Sequence, residues 1–117
     1  MSEQSKAINI GYMILSDYKK YKDAKFDPLL LWDIDLKEFD FQKGKSTLVA
    51  RTVELGTLND WYFLLNFFGE KTVVEEIKKI EFLMAKDINF VHKFLQIPLS
   101  ELKSYQNQLQ GKKHFFE

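Results

Sequence analysis

Between Gly56 and Ile80 the chain reads GTLNDWYFLLNFFGEKTVVEEIKKI, and in its first half apolar residues recur at intervals of three and four. Leu58, Trp61, Tyr62, Leu65 and Phe68 fall on one helical face. Phe63, Leu64 and Phe67 cover much of what is left. A helix apolar nearly all round is expected to be central, so the rest of the chain is expected to be arranged around it. Thr57, with Asp60 three residues on, is an N-terminal cap, and Gly69 ends the helix in the left-handed conformation that glycine adopts cheaply. Thr72 and Glu75 then have the spacing of a capping box for a second helix.

Other stretches extend the pattern. Ile8, Ile10, Tyr12 and Ile14 alternate like a strand, while Ile10, Met13, Ile14, Tyr18 and Tyr21 repeat like a helix; the reading taken is a helix from Tyr12 to Lys22. Phe26-Asp27-Pro28 is a break, because proline restricts the residue before it to extended shapes. In Leu29 to Phe41, Trp32, Ile34 and Leu36 alternate with Asp33, Asp35 and Lys37, as in a one-sided extended segment lying across the helices with Trp32 as its anchor. Asp40 is placed to cap a helix running to Leu55, with Phe41, Leu48, Val49, Thr52 and Val53 on one face and Gly56 as terminator. Gly44 inside that helix costs ~1 kcal/mol relative to alanine, so its first turn is expected to fray.

Beyond Ile80, Asp87 is a weak start signal for a helix to Gln96 built on Ile88, Val91 and Leu95, with Phe90 and Phe94 beside them. Ile97-Pro98 ends it and opens the next, since proline suits a first helical position. Leu99, Leu102, Tyr105 or Gln106, and Leu109 form the last face. The pattern predicts an all-α fold, a compact bundle of five or six short helices with one extended N-terminal segment packed across it. Residues 1–25 read as a partly helical N-terminal extension, 26–110 as a single helical domain and 111–117 as a flexible tail.

Composition narrows the function. A chain of 117 residues is long enough to bury roughly two-thirds of its unfolded surface, and needs no disulfide or metal staple. The absence of cysteine fits a reducing compartment. Lys+Arg and Asp+Glu both number 17, so no overall field steers the protein toward nucleic acid or an anionic membrane. The apolar stretch Ile8 to Leu15 is short and broken by Asn9 and Gly11; neither a secretory signal nor a membrane span is expected, and the cytoplasm is the default location.

Candidate chemistry is sparse. The serines Ser16, Ser46, Ser100 and Ser104 have no glycine-flanked elbow, and no thiolate is available. His92 and His114 are the only histidines, too few for a common zinc site, and His92 reads as a partly buried helix residue. Gly44-Lys45-Ser46 lacks the upstream glycine and strand of a phosphate-binding loop. Asp33, Asp35 and Asp40 have an unspecific spacing and read as wet-side residues plus one cap, and Arg51 and Glu54 as solvent residues. Lys19, Lys20, Lys22 and Lys25 read as a solvated helix end. No catalytic residue, metal or cofactor is expected.

The run LLLWDID ending at Asp35, VELGTLNDW at 53–61, NFFGEKTVVEEIKKI at 66–80 and KFLQIPLSELKSY at 93–105 together resemble a family of small uncharacterised bacterial proteins. The resemblance spans about Phe26 to Tyr105. It departs from the family pattern at Leu55, where arginine usually precedes the glycine, and at Ser104, where cysteine is common. The family has no established activity, and its members look like the smaller partner of a nucleotidyltransferase-type toxin. The resemblance therefore implies an antitoxin-like role.

Two functional readings follow. The first is a non-catalytic protein-interaction module whose surface includes exposed aromatics, because aromatic residues make up 15% of the chain and one small core is expected to leave some uncovered. Tyr62, Phe63, Tyr105, Phe115 and Phe116 are its candidate anchors. The alternative is a small helix-turn-helix-like DNA-binding regulator, since Val91, Leu95, Ile97, Leu102 and Tyr105 fall near that motif's apolar positions. Ser100, Lys103, Gln106 and Asn107, with Ser104 among them, would meet bases or phosphates. Against it, His92 and Gln96 stand where the motif wants a small residue and a glycine, and Glu101 sits among the contacts.

Overall fold

The computed structural model describes residues 15–115, and side chains as far as Gly111. The expected helix start at Tyr12 lies outside the described residues, as does Phe116. Among the described residues the fold is all-α, with five α-helices, three 3-10 turns and no strand. The helices are α1 (Lys45–Leu55), α2 (Leu58–Phe68), α3 (Glu70–Lys79), α4 (Ala85–Phe94) and α5 (Lys103–Phe115). Leu48, Val49, Leu64, Val73, Ile77, Val91 and Leu102 are fully shut off from solvent at its centre.

The centre is shared by α1 and α2. The first packs against α2, α3, α4 and the 3-10 turn Pro28–Leu31, and the second against α1, α3 and the 3-10 turn Asp17–Tyr21, with Trp61 reaching Phe90 of α4 and Phe63 reaching Phe26 and Phe41. Leu58 and Phe67, at the two ends of α2, remain about half exposed, and Leu48, Val49, Thr52 and Val53 form the buried face of α1.

Local chemistry sets the helix ends. Asp40 Oδ1 accepts the amides of Gln42 (2.8 Å) and Lys43 (3.2 Å). Asp40 thus closes a turn, and α1 begins only after Gly44. A Cβ on Gly44 would run into the Phe39 ring, so glycine lets that ring lie against the helix start. Thr57 and Asp60 form the expected capping box of α2. Gly69 has φ 89° and ψ 150°, a positive-φ region beyond the left-handed helical one and reserved for glycine. Its carbonyl already accepts the Val73 amide at 3.1 Å. For that reason α3 starts at Glu70, and Thr72 lies inside the helix instead of capping it.

The start of α4 is likewise earlier than Asp87. The Met84 carbonyl accepts the amides of both Asp87 (2.9 Å) and Ile88 (3.0 Å), leaving Asp87 in the first turn, where a negative charge suits the helix dipole. After α4, Gln96 adopts φ 57°, the left-handed conformation usually left to glycine. His92 Nδ1–H donates to the Ile97 carbonyl at 2.8 Å across this bend, which makes His92 the half-buried helix residue that was expected. Pro98 opens a 3-10 turn, Leu99–Glu101, instead of an α-helix, and α5 follows from Lys103. That helix continues through Gly111 to Phe115, where the sequence suggested a loose tail.

At the other end, the helix expected to reach Lys22 tightens into the 3-10 turn Asp17–Tyr21. Asn66 of α2 donates to the carbonyls of Tyr18 (2.8 Å) and Tyr21 (3.2 Å), so α2 captures acceptors that a longer helix would have used itself. Residues 29–41 do lie across the helices, but as successive turns and not as an alternating extended segment. Leu30 and Leu31 are both buried, and Trp32 is 78% exposed. A three-residue turn places neighbours i and i+3 in one row, so the alternation of a strand does not apply. Trp32 is not a buried anchor; Leu30 and Leu31 anchor the segment.

Candidate functional site

The segment that carries Trp32 is held from both ends. At its start, buried Asp60 of α2 accepts the Asp27 amide on Oδ1 at 2.7 Å, while Oδ2 takes the Thr57 amide at 2.7 Å and the Thr57 hydroxyl at 3.0 Å. One carboxylate therefore caps α2 and ties down the break before Pro28. Further on, Arg51 of α1 grips Asp33 with two nitrogens, at 2.8 and 3.0 Å, and its Nη1 also donates to the Leu30 carbonyl at 2.9 Å. The planar guanidinium suits this fork. Asp33 is held below its ordinary pKa by the hydrogen bonds from Arg51, and Arg51 is raised by the same contact. Arg51 is thus a structural clamp, not the free solvent residue its helix position suggested.

Between these ties Leu29 and Trp32 project, 74% and 78% exposed, one 3-10 turn apart and so in one row. Leu55 and Leu58, at the junction of α1 and α2, are also largely uncovered. The remaining acidic residues of the segment serve its turns: Asp35 accepts the Lys37 amide at 3.0 Å, and Asp40 closes the turn before α1. Among the described residues no group of three or more acidic or histidine side chains is arranged to hold a metal ion.

An open groove of about 390 Å³ lies beside the same junction, lined by Val53, Glu54, Gly56, Leu58, Trp61, Lys86, Asp87 and Phe90. Trp61, only 3% exposed, packs its ring on Phe90 with centroids 5.6 Å apart. Trp61 is thus the buried core residue that its helix predicted. A second groove, between α4 and α5, includes Ile88, Leu99 and Tyr105 in its lining.

The candidate anchors scatter. Tyr62 is buried, stacked on Tyr21 with ring centroids 4.4 Å apart, and burial raises its phenol pKa. Phe63 belongs to an aromatic seam with Phe26, Phe41 and Phe67, at centroid distances of 5.2, 6.1 and 5.4 Å. These rings fill the joint between residues 26–41 and α2, while Trp32 and Phe82 stay exposed. Tyr105 is half-buried in the second groove. Phe115 ends α5, with its side chain outside the described part, and Phe116 is wholly outside it.

Three of the four candidate nucleic-acid contacts, Lys103, Gln106 and Asn107, face acidic or backbone partners, and Ser100 is exposed. Lys103 stands 3.8 Å from Glu81, Asn107 donates to the Glu81 carbonyl at 2.9 Å, and Gln106 donates to the carbonyl of exposed Ser100 at 2.9 Å. Lys78 binds Glu101 at 2.7 Å, which raises the lysine pKa. Residues 95–102 separate α4 from α5, a longer link than the ~3–4 residues of a helix-turn-helix. In addition, α5 packs on α3 and on the Leu99–Glu101 turn. The two C-terminal helices do not form that motif. Ser104, the position departing from the resembled pattern, is buried with its hydroxyl unpaired.

Fold and surface together define a small all-α domain that displays a clamped apolar turn. Residues 26–77 match the model of a family of unknown function, DUF6922. The match stops at Ile77, short of Tyr105, where the resemblance ends. No curated protein and no solved structure matches the chain significantly. Among the described residues no helix is long and apolar enough to cross a membrane.

Proposed function

We propose that this protein is a non-catalytic interaction module that binds another protein through the Leu29–Trp32 turn, and that the partner is a toxin to which it acts as antitoxin. The observation that carries the binding surface is the exposed Trp32, held on a segment fastened at Asp27, Leu30 and Asp33. Tryptophan is among the residue types that dominate binding energy at interfaces. Exposed apolar side chains on a fastened backbone bind with less ordering cost than the same groups on a loose loop. The antitoxin assignment is supported only by the resemblance described above, and is a proposal of its own.

The test is co-expression with the product of the adjacent gene, scored for a stable complex and for relief of growth arrest. Trp32→Ala is expected to weaken the complex about tenfold or more, as loss of an interface anchor does, with the melting curve nearly unchanged because the ring is exposed. Tyr105→Ala is expected to leave it intact. If no neighbour is toxic and no complex forms, the antitoxin reading fails. If the protein alone is a dimer that Trp32→Ala turns into monomers, the surface is self-complementary and the partner reading falls with it.

A further inference from the structure

We propose that the groove between α1, α2 and α4 receives a guanidinium group, an arginine side chain carried by the protein partner; this rests on the interaction reading but on a different surface from Trp32. The groove couples an aromatic floor to acidic walls. Trp61 and Phe90 form the floor, Val53 and Leu58 offer apolar surface for an alkyl stem, and Glu54 and Asp87 supply carboxylates from two different helices.

Within the described residues the charges there are answered only by the dipole of α4 and by Lys86. Asp87 is 7% exposed and accepts no hydrogen bond among the described residues; the cation near it is Lys86, 3.8 Å away, adjacent in sequence and itself largely in solvent. A carboxylate so buried is normally paired and hydrogen-bonded. Glu54 forms neither a hydrogen bond nor an ion pair among the described residues. Arg51, whose pKa it helps to raise, is committed to Asp33. Two carboxylates against one loosely placed lysine leave the groove with a net negative lining. A guanidinium answers this better than an ammonium, because it lies flat on an aromatic ring while presenting several donors in a plane. Lys86 would swing outward as the guest enters. The groove also opens beside exposed Leu58, so a chain covering the apolar residues at the α1–α2 junction would carry its arginine past the entrance.

The test is an NMR titration of the full chain with the peptide acetyl-Leu-Arg-Leu-amide and its citrulline counterpart, which keeps the shape and loses the charge. The expected result is saturable shifts at the amides of Gly56, Leu58, Asp87 and Phe90 with the arginine peptide and none with citrulline. Glu54→Gln and Asp87→Asn should each weaken binding about tenfold, the loss of one charge-assisted contact. Lys86→Ala should tighten it about two- to fivefold by removing a weak competitor. Glu54 is exposed, so its variant tests the charge without disturbing the fold. Equal binding of the citrulline peptide, shifts confined to the Trp32 side, or unchanged affinity in Glu54→Gln would each overturn the proposal. Such a failure would leave the module reading standing, since that is tested through Trp32 outside the groove.

Discussion

Asp60 offers the sharpest test of how the segment is held. Its carboxylate, 2% exposed, accepts three hydrogen bonds: the Asp27 amide, the Thr57 amide and the Thr57 hydroxyl. Asp60→Ala removes half of a capping box, which costs about 0.5–2 kcal/mol. It also removes the charged acceptor of the part-buried Asp27 amide, a hydrogen bond worth about 1.5–3 kcal/mol. The two together come to ~2–5 kcal/mol, which for a domain of this size lowers the melting temperature by roughly 8–20 °C. The measurement is thermal unfolding by circular dichroism, backed by hydrogen exchange at the Asp27 amide. Asn59→Ala is the control, because Asn59 Nδ2 donates to the Lys25 carbonyl at 2.8 Å on the exposed side of the same helix start. Its loss should cost under about 1 kcal/mol. If Asp60→Ala costs no more than this control, or if the Asp27 amide stays as protected as in the parent, the segment is fastened by something other than Asp60 and the argument is refuted.

Three further outcomes follow from the same geometry. Arg51 holds the Asp33 carboxyl below its ordinary value of 3.8, so the unfolded chain binds more protons near that value, and the contribution is complete above it and lost as pH falls through the lowered folded value. Asp33→Asn should therefore flatten the stability-versus-pH curve below about pH 4 and change little of its shape near neutrality, as acid titrations of the melting temperature would show. Ser104→Ala removes a buried hydroxyl without a partner from an α-helix and should stabilise by about 1 kcal/mol in urea unfolding; a destabilised variant would mean that the hydroxyl is paired in solution. Gln96→Gly relieves a left-handed backbone worth about 1–2 kcal/mol but loosens the unfolded chain, so a net gain of up to about 1 kcal/mol is expected, against a clear loss for Gln96→Val.

The features legible in the sequence were those that act over a few residues. The Thr57–Asp60 box, the glycine demanded at position 69 and the break at Pro28 appear where local spacing placed them, because a cap or a turn is decided within one helical turn. Trp61 is also where its periodicity put it. The misreadings arose where distant groups compete. Trp32 was misjudged because a 3-10 turn, fixed by Asp27 and Asp60, replaced the strand that alternation suggested. The Arg51–Asp33 fork joins residues eighteen positions apart and carries no local signal. Tyr62 and Phe63 are covered by rings from earlier segments, Tyr21 and Phe26, whose approach no helical pattern could reveal. The groove was missed for a similar reason: Glu54 and Asp87 look like ordinary solvent-facing and capping residues until α1 and α4 are brought side by side.

These long-range ties also say why residues 26–77 should behave as a unit. The matched region begins at Phe26, in the aromatic seam with Phe63, and ends at Ile77 in the core. It contains both partners of the Asp27–Asp60 and Asp33–Arg51 ties, and the capping box and Gly69 turn that set α2 and α3. Each tie closes a loop whose entropic cost rises only slowly with length, so two of them on one short segment restrict it far more than either alone. A segment restricted in this way has lost most of its freedom before any partner arrives, and a partner covering Leu29 and Trp32 then has little further ordering to impose. The C-terminal part contributes differently: α4 completes the groove through Asp87 and Phe90, Leu102 just before α5 is wholly buried in the core, and α5 packs on α3. The division predicts that Asp60→Ala and Arg51→Ala weaken partner binding more than their effect on global stability alone accounts for, while Ser104→Ala changes stability and leaves binding as it was. Equal effects of all three on binding, after correction for the folded fraction, would show that the segment's rigidity has no part in recognition.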